Sequence, residues 1–195
     1  MTLPRDKNDL PIRAFVSSAA WEGWLQEQPR TSKGVWLKLA KAASGITSVS
    51  KREAIDGALC HGWIDGQADR FDADYWLIRF TPRKARSKWS EKNRVRAQQL
   101  IAEGRVSPHG LAEVRAAQAD GRWDAAYAPA STAMVPDDLQ AALDANPQAA
   151  AFFATLTGAN RYAILYRIGA VKKAETRARK IADYVAMLER GETLH

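Results

Sequence analysis

The sequence has little cysteine and histidine, and it lacks the common cofactor-binding motifs. Its one cysteine, Cys60, excludes an internal disulfide and a metal site of the Cys-x-x-Cys kind. The three histidines, His61, His109 and His195, do not have the spacing of zinc-binding motifs. There is no P-loop, no Gly-x-Gly-x-x-Gly and no Gly-x-Ser-x-Gly sequence. We therefore expect neither a metal nor a cofactor.

Long hydrophobic runs are also missing from the chain. No stretch approaches the roughly 18 apolar residues that a membrane-spanning helix needs. Residues 1–10 include Arg5, Asp6, Lys7 and Asp9 and contain no apolar segment of the kind found in secretory signals. We therefore expect a cytoplasmic protein without a transmembrane segment. Hydrophobic residues still make up 46% of the chain, which is ordinary for a globular protein with a buried core.

Hydrophobic periodicity predicts an α+β protein. Residues 35–41 alternate as a strand does, and residues 63–68 and 75–81 predict two more strands joined as a hairpin. From Pro136 onward the periodicity is helical throughout. We predict a small antiparallel sheet with packed helices, followed by an all-helical C-terminal part. The predicted organisation is a polar tail at 1–12, an α+β domain at 13–128 and a helical module at 129–195 packed against it.

Capping residues predict where two of the helices begin. Ser50 and Glu53 have the spacing of a capping box, in which each side chain bonds to the other residue's backbone N–H. Ser90 precedes a helical pattern that ends before Gly104. These local signals predict helices that start directly after Ser50 and directly after Ser90.

Positive charge is unevenly distributed along the chain. The formal net charge is +7, and the segment Arg79–Arg105 alone holds nine basic residues against two acidic ones. An excess of this sign favours anionic partners, such as phosphate, a nucleotide, nucleic acid or an acidic membrane surface. A second basic stretch, Lys172–Lys180, flanks an amphipathic helix, and we interpret it as a solvated helix face.

The segment from a predicted strand end to a predicted helix start combines basic and hydroxyl side chains. A helix N-terminus offers free backbone N–H groups, and arginine and hydroxyl groups add further donors for an oxyanion. The candidate binding residues of this segment are Arg79, Thr81, Arg83, Arg86, Ser87, Lys88, Trp89 and Ser90. Trp89 either stacks on a ligand ring or anchors the segment to the core. The alternative is a solvated basic surface, in which exposed charges such as Arg83 and Arg86 contribute little to stability.

The register of the predicted hairpin decides which side chains share a face. An even sum of paired residue numbers places Ile64 and Phe80 together on an apolar face. Trp63, Asp65 and Arg79 then share the opposite face, whereas an odd sum puts Asp65 among core residues at a cost in desolvation. We therefore predict the even register. In it, Asp65 and Arg79 form either a structural ion pair or the floor of a ligand pocket.

Several motifs together resemble a known family. They are Ala58-Leu59-Cys60-His61-Gly62-Trp63-Ile64-Asp65-Gly66-Gln67, Tyr75-Trp76-Leu77, Arg79-Phe80-Thr81-Pro82-Arg83, Ser87-Lys88-Trp89-Ser90 and, near the C-terminus, Val135-Pro136-Asp137-Asp138-Leu139 and Glu175-Thr176-Arg177. Over about residues 12–195 the chain resembles the YdeI-like, OmpD-associated family of bacteriocin-protection proteins. One departure is Val171, which stands before Lys172 where the family pattern has alanine.

The resemblance implies a helical C-terminal module and a role in survival against bacteriocins or cationic peptides. The family name alone implies association with an outer-membrane porin, and it implies no catalytic residues. Three hypotheses for function follow. The first is a small cytoplasmic protein that binds an oxyanion or a phosphate-bearing ligand and acts in antimicrobial-peptide or stress resistance. The alternatives are a non-specific nucleic-acid-associated protein and an enzyme in which Asp65 is the acid/base.

Overall fold

A computed structural model describes residues 6–194, and its contacts divide the chain into two compact units with the boundary between Ala126 and Tyr127. The first unit contains, in chain order, β1 (Asp6–Lys7), β2 (Leu10–Ala14), α1 (Ser18–Glu27), β3 (Val35–Ala40), α2 (Lys51–Cys60), β4 (Trp63–Arg70), β5 (Tyr75–Pro82), α3 (Glu91–Ala102) and α4 (Pro108–Ala119). The second contains α5 (Asp137–Asp144), α6 (Pro147–Thr155), α7 (Gly158–Gly169) and α8 (Ala174–Glu189). The predicted α+β class, with helices alone in the C-terminal part, is confirmed.

The five strands form one sheet in the order β1-β2-β3-β5-β4. Its pairings are antiparallel except that of β2 with β3, which is parallel. A parallel pair needs a crossover connection, and α1 supplies it. The predicted small antiparallel sheet is present in the other pairings, and the parallel pairing of β2 with β3 was not predicted, because no clear strand pattern precedes α1 in the sequence.

The N-terminal segment departs from the predicted polar tail at 1–12. Residues 6 and 7 form β1, residues 10–12 belong to β2, and Leu10 is buried, whereas residues 1–5 lie outside the described residues. The two strands are joined by Asn8 and Asp9, whose φ angles are 51° and 59°. Positive φ at both central residues is the geometry of a type I′ turn, which favours asparagine and aspartate. The tail interpretation failed because this hairpin is very short and its turn lacks the glycine that usually marks one.

The two faces of the sheet differ in what covers them. On one face, β3 and β5 pack their alternate apolar residues against α1 and α2. This main core contains Trp21, Leu25, Val35, Leu37, Leu39, Val49, Ala54, Ala58, Trp63, Ile78 and Phe80. The other face carries only a small buried cluster of Leu10, Trp36 and Leu77. Arg79 is paired with Trp36 and therefore lies on this second, less covered face.

The predicted even register of the β4–β5 hairpin is wrong at the end of the hairpin that contains Asp65. Near the turn the sum is even, since Ala68 pairs with Ile78. A β-bulge then shifts the pairing, so that Asp65 lies opposite Phe80. Opposite residues share a face, so Asp65 and Arg79 lie on different faces and no ion pair joins them. The bulge inserts one residue into β4 without a local sequence signal, and the register at Asp65 could therefore not be predicted from the sequence.

A third group of buried residues holds the helices that follow β5. It consists of Leu59, Cys60, Trp89, Ala97, Leu100, Val114, Ala117 and Trp123. The rings of Trp89 and Trp123 meet edge to face with centroids 4.8 Å apart. Helix α4 approaches α2 closely at Gly110, where a Cβ would lie 2.3 Å from the Cys60 carbonyl oxygen. The segment between β5 and α3 is therefore fixed at its far end by a buried tryptophan.

The second unit has a core of its own, formed by α5 to α8. Its most deeply buried residues are Leu139, Leu143, Ala149, Ile164, Ile168 and Leu188. Arg177 joins three of these helices, because its guanidinium donates to Asp138 Oδ1 at 2.8 Å and to the Ile168 carbonyl oxygen at 2.9 Å. This contact lowers the pKa of the Asp138 carboxyl. Within residues 6–194, no helix combines the length and the apolar character needed to cross a membrane.

Candidate functional site

An open groove of about 750 Å³ lies on the less covered face of the sheet. Four parts of the first unit form its walls: the β1–β2 turn, the segment before β3, the bulge in β4 and the end of β5 with the loop after it. The lining residues are Asn8, Asp9, Leu10, Arg30, Thr31, Ser32, Lys33, Gly66, Gln67, Arg79, Thr81, Pro82, Arg83 and Lys84. This volume is within the range of small-molecule binding sites. We refer to this feature below as the basic groove.

Positive charge dominates the basic groove. Among its described lining side chains, five are basic and one, that of Asp9, is acidic. Arg79 and Thr81 enter it because they occupy alternate positions of β5, on either side of the buried Phe80. Gln67 enters it because the bulge sets both Gly66 and Gln67 opposite Arg79. The strand pairing therefore collects cationic and neutral polar groups at one end of the open face.

Two of the five cations are held in place by buried partners. Arg30 forms an ion pair with Glu113, which is only 7% exposed. Arg83 is itself only 6% exposed, and its guanidinium lies 3.5 Å from the centre of the Trp89 ring. Arg83 also donates to the Lys88 carbonyl oxygen at 3.2 Å. Glu113 therefore balances the charge of Arg30, whereas the buried Arg83 holds its positive charge in the wall of the groove.

The remaining three cations, Lys33, Arg79 and Lys84, have exposed side chains. Among residues 6–194, none of the three takes part in an ion pair. They converge on the groove from the start of β3, from β5 and from the loop after β5. Exposed cations without an acidic partner are the groups best able to bind an incoming anion.

Gly34 brings the segment that carries Lys33 close to β5. Its φ is +115°, and a Cβ at this position would lie 2.5 Å from the Phe80 carbonyl oxygen. Glycine alone tolerates both the positive φ and the close approach. The hydroxyl of Ser32 accepts a hydrogen bond from the Gly34 N–H at 3.3 Å and so steadies the same turn.

The structure separates the residues that the sequence grouped as one binding segment. Arg79, Thr81 and Arg83 line the basic groove, whereas Arg86, Ser87, Lys88 and Ser90 are outside its lining. Ser90 caps α3 by accepting from the Asn93 N–H, and Ser87 accepts from the Lys84 N–H. Trp63 and Trp89 are buried in two different cores, so Trp89 anchors the segment. Asp65 lies opposite Phe80, on the face away from the groove.

The expectation that Arg83 is an exposed charge is wrong. Its position directly after β5 turns the side chain inward, onto the buried Trp89. A planar guanidinium can stack on an aromatic ring while its N–H groups still donate hydrogen bonds in the plane of the guanidinium. Hydropathy alone assigns arginine to the surface, which is why the sequence did not indicate this contact.

Eleven of the fourteen described lining residues were not among the predicted binding residues. They are Asn8, Asp9, Leu10, Arg30, Thr31, Ser32, Lys33, Gly66, Gln67, Pro82 and Lys84. The available signal was the polar run at residues 30–33, directly before Gly34 and the predicted strand. Loops that lead into a sheet often carry binding residues. The N-terminal turn gave no such signal, because its place beside β3 depends on a parallel strand pairing.

A second, much smaller cavity of about 20 Å³ lies behind Arg30 and Arg83. His61, His109 and Glu113 line it, and burial lowers the pKa of His61, with the nearby His109 lowering it further. Burial also raises the pKa of the adjacent Cys60 thiol to about 11, which makes it a poor nucleophile. Within residues 6–194, no three His, Cys, Asp or Glu side chains are arranged to hold a metal ion.

Comparison with known families divides the chain in two. A family model described as Domain of unknown function (DUF8412) matches residues 13–113, which is more than half of the chain. The chain belongs to this family. A second model, described as Bacteriocin-protection, YdeI or OmpD-Associated, matches residues 132–191, and the resemblance predicted from the sequence is confirmed for this part. No curated protein and no solved structure matches the chain.

The DUF8412 match contains most of the basic groove. It covers the lining residues from Arg30 to Lys84 and excludes only the three that belong to the N-terminal hairpin. The motifs around Trp63, Arg79 and Trp89 that contributed to the resemblance also lie within this match. The bacteriocin-protection description therefore applies to the helical unit, and the groove belongs to the DUF8412 unit.

Proposed function

We propose that this protein binds a small oxyanion or phosphate-bearing ligand in the basic groove. The observation that carries the proposal is the excess of cations there, because among residues 6–194 Lys33, Arg79 and Lys84 are exposed and take part in no ion pair, against the single lining carboxylate of Asp9. Cations held near one another repel, so an anion that neutralises them is bound favourably by the folded chain. A role in resistance to antimicrobial peptides is the second part of the proposal, and the description that matches residues 132–191 supports it.

The exposed members of the groove provide the ligand contacts. The guanidinium of Arg79 presents a planar set of donors that suits a phosphate or carboxylate, and Lys33 and Lys84 add compact charges. Thr81 and Ser32 add hydroxyl groups beside them. Asp65 lies on the opposite face, so its position does not support the alternative in which it is the acid/base of an enzyme.

Thermal unfolding in the presence of anions tests the proposal. At a phosphate or tripolyphosphate concentration of about 100 times Kd, linkage adds about 2.7 kcal/mol to stability. For a chain of this length that raises Tm by roughly 5–10 °C. The double substitution of Arg79→Gln with Lys33→Gln is expected to remove most of this rise, because both side chains are exposed and line the groove.

A charge-matched variant controls for unspecific effects. Arg86→Gln with Lys88→Gln also removes two exposed positive charges, but from outside the groove lining, and is expected to keep the rise in Tm. An equal loss of the rise in both double variants would show that net charge, and not the groove, is responsible. A parent protein whose Tm no anion changes would refute the proposal.

A further inference from the structure

The size of the basic groove calls for a ligand larger than an inorganic ion. A volume of about 750 Å³ corresponds to about 25 water molecules at their volume in the liquid. A single phosphate group can contact Arg79 and its neighbours, but it leaves most of this space to solvent. The ligand that fits the groove therefore carries a polar organic part beside its anionic group.

The balance of charge limits how many anionic groups the ligand carries. Three exposed cations without an ion pair among residues 6–194, Lys33, Arg79 and Lys84, face one carboxylate, Asp9, and the buried Arg83 adds a positive charge to the wall. This excess is enough to neutralise one phosphate monoester, whose charge is close to minus two at neutral pH. Longer polyphosphates would exceed the charge that these side chains neutralise.

The groove offers no aromatic surface to a ligand. None of the described residues that line it is aromatic. The nearest indole rings are covered: Arg83 lies over Trp89, and Trp36 is 1% exposed and donates from Nε1 to the Lys7 carbonyl oxygen at 3.0 Å. Nucleotide sites commonly stack the base on an aromatic face. The exposed arginines of the groove are otherwise engaged, because Arg30 is paired with Glu113 and Arg79 binds the anionic group. The base of a nucleotide would therefore gain little here.

Neutral hydrogen-bonding side chains occupy the rest of the lining. They are Asn8, Thr31, Ser32, Gln67 and Thr81. Hydroxyl and amide groups both donate and accept, which is the complement that ligand hydroxyl groups require. From this combination we infer that the ligand is a phosphorylated polyol, such as a sugar phosphate, and not a nucleotide. The inference rests on the proposed function, since it names the class of ligand for the same groove.

Isothermal titration calorimetry with three related compounds tests the inference. The compounds are inorganic phosphate, ribose-5-phosphate and AMP, which differ stepwise by a sugar and by a base. We expect ribose-5-phosphate to bind at least about tenfold more tightly than phosphate, because two or more added hydrogen bonds give an effect of this size. The Kd of AMP is expected to lie within about threefold of the Kd of ribose-5-phosphate. Stacking of the base on the protein would otherwise tighten binding by about fivefold to more than a hundredfold.

A pair of variants assigns the sugar contacts. Gln67→Ala with Thr31→Val, at two exposed lining residues that are not among the proposed anion contacts, is expected to remove most of the preference for ribose-5-phosphate and to change phosphate binding by less than about twofold. Gln118→Ala removes an exposed glutamine of α4, away from the groove, and is expected to change neither. Gln67 is exposed, and thermal unfolding without ligand confirms that each variant is folded.

The outcomes separate the inference from the proposed function. If phosphate binds and ribose-5-phosphate binds no more tightly, the inference fails while the proposed function stands. If AMP binds more than tenfold more tightly than ribose-5-phosphate, the ligand is a nucleotide and the inference also fails. If none of the three compounds binds, the proposed function and the inference fail together.

Discussion

At the scale of single residues, the contact between Arg83 and Trp89 connects the basic groove to the core. The guanidinium of Arg83 is buried over the indole ring and donates to the Lys88 carbonyl oxygen. A desolvated cation–π contact of this kind contributes about 2 kcal/mol, and the charged hydrogen bond adds to it. Arg83 therefore stabilises the loop after β5 while it holds positive charge beside the groove.

We predict that Arg83→Ala lowers the free energy of unfolding by about 2–4 kcal/mol, because the change removes a stacked, hydrogen-bonded side chain. Arg86→Ala removes an exposed arginine of the same loop and is expected to change it by less than about 0.5 kcal/mol. Urea unfolding of both variants measures the difference. Equal losses in the two variants would contradict the role given to the Trp89 contact.

At the scale of secondary-structure elements, two irregularities shape the groove. The bulge in β4 sets Gly66 and Gln67 opposite Arg79, and Gly34 carries the chain into β3 close against β5. Without the bulge, Gln67 would lie opposite a different residue of β5. A larger residue at position 34 would move the segment that carries Lys33 away from β5. The site therefore depends on departures from ideal strand geometry as well as on the sheet itself.

We predict that Gly34→Ala destabilises the protein by about 3 kcal/mol or more, because strained φ and a clash with the Phe80 carbonyl oxygen act together. The matched variant is Gly45→Ala, where φ is also positive but no atom lies within 4 Å of the added Cβ. Its expected cost is about 1 kcal/mol, from the backbone conformation alone. Urea unfolding compares them, and a cost at Gly34 no larger than that at Gly45 would disprove the close packing.

At the scale of the whole molecule, the net charge is +7, but not all basic side chains are available to bind a polyanion. Within Arg79–Arg105, Arg96 pairs with Asp56 and Glu103, and Arg105 pairs with Glu22. Arg83 is buried. The helical pattern after Ser90 therefore places part of the basic segment in ion pairs that stabilise the first unit, and the segment is not one continuous surface for phosphates.

We predict weak, sequence-independent binding to nucleic acid. The exposed cations of this segment do not form one continuous surface, so a duplex makes few phosphate contacts at a time. The Kd at physiological salt is therefore expected near or above about a micromolar and is expected to rise steeply with salt. Fluorescence anisotropy with random and selected duplexes at two salt concentrations measures both properties. Nanomolar binding that depends on sequence would contradict this prediction and favour the nucleic-acid hypothesis.

Features that rest on neighbouring residues were predictable from the sequence. The capping box of Ser50 and Glu53 is present and α2 begins at Lys51, as predicted, and Ser90 caps α3. The strand predicted from the alternation of residues 35–41 is present as β3. The elements of the second unit are all helices, as predicted. These elements follow from periodicity and capping, which depend on residues close together in the chain. They can therefore be predicted from short segments of sequence.

The basic groove was predictable only in part, because its parts meet through long-range pairings. The sequence by itself determined the α+β class, the helix starts and the basic character of the segment that contains Arg79. Only the tertiary structure decided that Asn8 and Lys33 line the groove with Arg79 while Asp65 lies on the other face of the sheet. The physical reason is that register, bulges and sheet order depend on contacts between residues distant in the chain, and no local pattern specifies those contacts.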